Sequence, residues 1–250
     1  MNPHSFILQM VSVLVTGANR GVGLGLVKEL LKQEKVSVVF ATTRGTKDKE
    51  LREIKDAKLQ VLEMDVGDDR SIAVAAGKVR ERVGDAGLDV LVNNAGIYVQ
   101  YKVEGPVQRR ELVQQLEINS AAPLIVAQSF LELLRAAAKT KGSSKLATIS
   151  SMWGSIETNG GSYGERHAIA YNMSKAAVNM MTHTLAVDWK DDKIIVASFC
   201  PGWVQTDMGG KGAAITAEES AEALVESIVN KLGNEHSGQF FHRDMKRIPY

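Results

Sequence analysis

VSVLVTGANRGVGLG, Val11 to Gly25, is an apolar run that breaks into a glycine-rich turn and reopens as a helix. Gly17, Gly21 and Gly23 fall where the chain must turn sharply, and glycine tolerates the backbone conformations such a turn needs. A helix start reached this way presents unpaired N–H groups and the positive end of the helix dipole, a combination suited to a pyrophosphate. An isolated glycine pattern is equally the mark of an ordinary strand-to-helix connection. Position favours the first reading here, because this turn follows the first strand and opens the first long helix.

The same cadence runs outward through the chain. Short apolar runs rich in Val and Ile recur at 11–15, 36–40, 59–64, 88–92, 145–150, 193–199 and, more weakly, 238–242. Stretches of helical periodicity lie between them at 22–33, 71–83, 109–139, 168–188 and 217–232. Strands that are apolar almost throughout are buried on both faces, the condition of a parallel sheet covered by helices. The expected fold is therefore α/β, a single doubly wound, Rossmann-like domain with a parallel sheet of about seven strands and helices on both faces. No linker, repeat or low-complexity tract divides the 250 residues, so 1–250 reads as one domain, with 1–9 expected as a poorly ordered extension.

Composition narrows the partners. Thirty Lys and Arg against 29 Asp and Glu leave a net charge of +1, with no global field to gather nucleic acid or an anionic membrane. Cys200 is the only cysteine, which excludes an internal disulfide and a cysteine-rich metal site and fits a reducing, cytoplasmic setting. The apolar start has no preceding basic region and no small-residue cleavage site, so a signal peptide is not expected. No run approaches the roughly 20 apolar residues of a membrane-spanning helix. A small-molecule partner is the expectation, with no metal.

Two regions carry chemistry. In dinucleotide folds an acid at the end of the second strand binds the ribose of NAD, whereas an arginine there accommodates the extra phosphate of NADP. Here that strand ends Phe40, Ala41, Thr42, Thr43, Arg44, with no acid and one guanidinium, and Arg20 adds a second cation beside the glycine turn. Either arginine alone reads as a solvated surface charge; together, with the acid missing, they point to NADP. Asp65, closing the third strand, is either an adenine contact or a turn residue.

The second region is a tyrosine and a lysine four apart. On a helix that spacing puts both on one face, so the ammonium can approach the phenol, favour the phenolate and lower a pKa that is ordinarily near 10. The pattern occurs twice. Tyr98 and Lys102 run into Gly105 and Pro106, which argues for a loop, though Tyr98 remains a candidate for a substrate pocket. Tyr171 and Lys175 open the long periodic stretch from Ala168 and follow a strand ending Ser150, Ser151. Neighbouring residues at a strand end point opposite ways, so only one of these serines can face the tyrosine. Asn119, in the segment LEINS, is either a solvent-facing helical residue or part of the site.

These motifs, in this order, resemble the short-chain dehydrogenases and reductases. The turn matches that family's TGxxxGxG rather than GxGxxG; NNAG at Asn93 to Gly96, the ISS ending and the second YxxxK match as well. PGWVQTDMGG at 201–210 and the ending from 238 are similar to the C-factor and sniffer-type carbonyl reductases. The resemblance implies NADPH-dependent reduction of an aldehyde, ketone or quinone. Tyr171 would be the proton donor, Ser151 the carbonyl-orienting serine, Lys175 the holder of the nicotinamide ribose and Asn119 the support of a water relay. It implies cofactor contacts at Gly17, Asn19, Arg20, Gly21, Val22, Gly23, Arg44, Asp65, Val66, Asn93, Ala95, Gly96, Tyr171, Lys175, Pro201, Gly202, Val204 and Thr206.

Tyr98, Trp153, Trp203 and Met208 would border the substrate, and a homodimer is the usual assembly. One departure is the nineteen residues between Ser151 and Tyr171, more than most of the family has, including Tyr163 and His167. An NADP-sensing regulator and a dehydrogenase running toward alcohol oxidation are the rival readings. All four catalytic positions are kept, which a pure sensor does not need, and the missing acid speaks against NAD-linked oxidation.

Overall fold

The computed structural model describes residues 10–45, 48–158 and 168–250. The expected extension at 1–9, and Tyr163 and His167, lie outside them. Seven strands form one parallel sheet: β1 (Val11–Val15), β2 (Val36–Thr43), β3 (Leu59–Glu63), β4 (Val90–Asn93), β5 (Ser144–Ile149), β6 (Ile194–Cys200) and β7 (Gln239–His242), in the order β3-β2-β1-β4-β5-β6-β7. The apolar runs become strands because both faces are covered. Val13 and Val15 pack into one cluster with α1 (Gly21–Lys32) and α8 (Ala217–Val225), while Leu14 points into the other. That second layer is built from α3 (Asp69–Val83), α5 (Ala122–Ser129), α6 (Leu131–Lys141) and the end of α7 (Ile169–Asp188). A short α2 (Lys49–Glu53) precedes β3 and has no signature in the periodicity.

The strand order reverses between β1 and β4, and ligands of open parallel sheets bind above such a switch, at the carboxyl ends of the strands. Two loops are tied together there. Thr16 Oγ1 accepts from the N–H groups of Asn94 and Ala95 at 2.9 and 3.0 Å, and Asn94 Nδ2 donates to the carbonyls of Thr16 and Gly17.

The expected single helix over 109–139 is three pieces. α4 (Arg109–Leu116) widens into a π turn at Glu117–Ala121 before α5, and the chain bends by 54° at Phe130 before α6. Pro123 has no N–H for the carbonyl four residues back, that of Asn119, and the widening falls at that point. Likewise the stretch 217–232 is α8 followed by a π segment at Glu226–Lys231.

After β7 the chain doubles back. Ile248 N–H donates to Phe240 at 2.8 Å, and Ile248, Phe240 and Cys200 form a small cluster against which Met152 and Tyr250 pack. The carbonyl of Tyr250 accepts from Glu157 N–H at 3.0 Å, so this segment braces the turn that follows β5 from behind.

Candidate active site

A cleft of about 850 Å³ opens over the switch point. One half is the glycine turn. Gly17 takes φ of +62° and Gly21 +54°, and a Cβ at Gly23 would lie 2.3 Å from the Gly17 carbonyl oxygen and 2.5 Å from Asn94 Nδ2. Side chains are thus kept away from the start of α1. Arg20 precedes that helix in an extended conformation and makes no side-chain cap, so the first N–H groups face the cleft. Asn19, Arg20, Val22, Arg44, Asp65 and Val66 line this half with the glycines, and Arg20 forms an ion pair with Asp207 from across the opening. A donor-rich helix start, a glycine floor and two guanidiniums fit a dinucleotide that carries an additional phosphate.

The other half holds the titratable groups. Ala95, Gly96, Tyr171, Lys175, Pro201, Thr206 and Met208 line it. Lys175 is 5% exposed; its Nζ donates to the Ile149 carbonyl at 2.8 Å and stands 5.6 Å from the centre of the Tyr171 ring. Burial pushes the Lys175 ammonium down to about 8. The Tyr171 phenol, expected to be depressed by this cation, is instead held well above its ordinary value. Burial is the main cause, Cys200 and Tyr98 act in the same direction, and the hydrogen bond with Ser151 opposes them. Removing water from a phenolate costs more here than the Ser151 hydrogen bond returns. The group is thus a protonated acid at neutral pH.

The serines divide as strand alternation requires. Ser150 borders the cleft, but its hydroxyl donates inward to Asn179 Oδ1 at 2.8 Å, and Ser151 is the one bonded to Tyr171. Asn119 sits in the π turn and is buried. Its amide exchanges two 2.8 Å bonds with the backbone of Ile97 and donates to Ser174 Oγ at 3.1 Å, and Ser174 in turn donates to the Tyr171 carbonyl. Gly96 leaves the space between them open: a Cβ there would lie 3.2 Å from Asn119 Oδ1 and 3.9 Å from Lys175 Nζ.

Other expected contacts fall behind the lining. Asn93 is buried and donates to the Pro123 carbonyl at 2.9 Å, leaving its neighbour Asn94 to face the cleft. Val204 is buried and bridges to Ile215, while Gly202, at φ +87°, packs on Arg243. Trp203 is 61% exposed and donates to the Gly209 carbonyl within its own loop. Tyr98 and Trp153 stand edge-on to Tyr171, with centroids 5.4 and 5.9 Å away and 6.2 Å from each other. Sequence reading missed Thr16, Gln115, Gly154, Ser174 and Asn179. Only Thr16, fixed beside the turn, had a motif to point to it.

The cleft, the helix start, the half-buried tyrosine and serine and the buried lysine define a nucleotide-linked oxidoreductase site. The sequence profile described as short chain dehydrogenase matches residues 11–214, and the chain belongs to that family. It is similar to the Sniffer protein of Caenorhabditis elegans, at 41% identity and a TM-score of 0.87, over 97% of this chain and 100% of that one. The NADPH-bound carbonyl reductase from chicken fatty liver is 34% identical with a TM-score of 0.90, over 97% and 95% of the two chains. C-signal of Myxococcus xanthus is 34% identical over 165 residues, 65% of this chain and 93% of its own.

Proposed function

We propose that this chain reduces the carbonyl of an aldehyde, ketone or quinone with NADPH, and that Tyr171 is the proton donor. The observation that carries the reading is the half-buried Tyr171 phenol, hydrogen-bonded to Ser151, with Lys175 Nζ 5.6 Å from its ring in a cleft that opens beside a glycine-rich helix start. When bound, NADPH supplies hydride to the carbonyl carbon. The chain's own residues do the rest. Arg20 and Arg44 favour the phosphorylated cofactor, and the N–H groups at the start of α1 take its pyrophosphate. Ser151 donates to the carbonyl oxygen and steadies the charge that develops there. Tyr171 gives that oxygen its proton, Lys175 holds ribose hydroxyls, and the edge-on rings of Tyr98 and Trp153 exclude water. Asn119 supports the path by which Tyr171 regains a proton.

The end of β2, with Arg44 and no acid, favours NADPH-linked reduction over NAD-linked alcohol oxidation. The NADPH bound to the chicken enzyme supports the same choice of cofactor. Met173, Met180 and Val187 lie seven apart on α7 and are all exposed, which supports pairing of two copies through this helix.

The test is a carbonyl panel with both nicotinamide cofactors. Turnover should strongly prefer NADPH, Tyr171→Phe should lower kcat by about 10²–10⁴-fold, and Arg44→Asp should weaken the NADPH preference. Absence of turnover across the panel, or full turnover by Tyr171→Phe, sinks the reading.

A further inference from the structure

Tyr171 and Lys175 share a face of α7 with a third residue that the chemistry above does not use. Asn179 lies one turn beyond Lys175, 2% exposed, and its amide is a junction. Oδ1 accepts from Ser150 Oγ at 2.8 Å and from Ser198 Oγ at 3.2 Å, while Nδ2 donates to the Gly154 carbonyl at 3.1 Å. The three partners come from the end of β5, from β6, and from the turn at Met152–Gly154 that Ser151 opens. That turn is itself pressed on α7, because a Cβ at Gly154 would lie 2.6 Å from the Lys175 carbonyl carbon.

We infer that Asn179 is a positioning residue, which locks the turn carrying Ser151 onto the helix carrying Tyr171 and Lys175. The residue type suits the task. An amide accepts two hydroxyls on one atom while donating from another; an aspartate would leave the Gly154 carbonyl bare, and a leucine would strand all three partners. Apart from its bond with Tyr171, Ser151 is held within its own turn, where its oxygen accepts from Trp153 N–H at 3.2 Å, so it moves as that turn moves. The inference rests on the reductase reading for its kinetic consequence and on geometry alone for the restraint of the turn.

The experiment compares Asn179→Ala with wild type in the full chain, alone and combined with Ser151→Ala. The expected result is a kcat lower by about 10–100-fold, the scale of a misplaced catalytic group, with KM for NADPH within about twofold because the glycine turn lies elsewhere. In the Ser151→Ala background the same substitution should cost less than about twofold, since the group it aims is gone. Without cofactor, amide exchange should quicken at 152–155 and stay unchanged at 17–23. If Asn179→Ala does not fold, Ser198→Ala removes one anchor and should show the same pattern at several-fold.

An unchanged kcat, an undiminished loss in the Ser151→Ala background, or unaltered exchange at 152–155 overturns the inference. Lack of turnover by the wild type would sink the reductase reading instead, and exchange would still judge Asn179.

Discussion

Lys175 places an amine in a largely buried position at the edge of the cleft, and its proposed role and its cost have one origin. Burial brings the ammonium down to about 8, below its ordinary 10.5, so the unfolded chain holds this proton over a range in which the folded chain has released it. Stability should therefore rise with pH from about 8 toward 10.5, the penalty being fully present below that window. Lys145, also brought to about 8 by burial and by Lys35, acts in the same direction. Lys175→Met should melt higher at pH 7, on the order of 5 °C, and flatten the pH slope without abolishing it, while turnover collapses. The falling alkaline limb of kcat/KM in the wild type should sit near 8 and belong to Lys175, because Tyr171 stays protonated well beyond it. A limb that persists in Tyr171→Phe residual activity but vanishes in Lys175→Met would identify its owner. The pairing of these two side chains was legible from YxxxK on a helix, and the decoy at Tyr98 was separable by its Gly and Pro. The direction of the phenol's shift was not, since spacing encodes a nearby cation but says nothing of how dry the pocket is.

A helix can serve as the edge strand of a sheet if its side chains carry both a donor and an acceptor. Gln115 on α4 and Asn119 in the π turn do this. Gln115 exchanges bonds of 3.1 and 2.8 Å with the backbone of Val99, as Asn119 does with Ile97, so two amides one turn apart hold residues two apart in an extended segment. Tyr98, between them, is thereby aimed at Tyr171. Gln115→Leu should destabilise the protein by about 1–3 kcal/mol, the cost of leaving backbone groups buried and unpaired, and should raise KM for the carbonyl more than KM for NADPH. Chemical denaturation and separate KM values test both parts. Equal effects on the two KM values would mean that the segment does not shape the substrate side. Periodicity had joined 109–139 into one helix because apolar spacing survives a π turn. What betrays the break is local, Pro123 and a run of buried amides whose partners are distant in sequence.

The sheet's two ends are built on different principles. At the carboxyl ends lie loops, glycines and titratable groups; at the opposite end β1 and β4 are fastened by a buried acid. Asp89 accepts from the backbone N–H and hydroxyl of Ser12 at 2.7 and 2.8 Å and pairs with Lys141 at 2.8 Å. Asp89→Ala should lower stability by about 1–3 kcal/mol, the cost of leaving the buried Ser12 N–H and hydroxyl unpaired, with near-normal kinetics for the folded fraction. A melting temperature within a degree or two of wild type would show the pair to be dispensable. The seven strands were legible from apolar runs alone, because a two-sided sheet leaves little choice of residue, although β3 at the sheet edge is half-buried where its apolar run implied burial. This fastening was not, since Ser12 and Asp89 lie 77 residues apart and neither sits in a motif.

The segment that doubles back after β7 gives the chain a timetable. Synthesis delivers the glycine turn and Arg44 within the first fifth of the sequence, so the mononucleotide half of the cleft can assemble early. Met152 and Glu157 meet their supports, Ile248 and Tyr250, only about a hundred residues later. A nascent chain could thus hold its cofactor before the Ser151 turn is braced, and competence for proton transfer would arrive last.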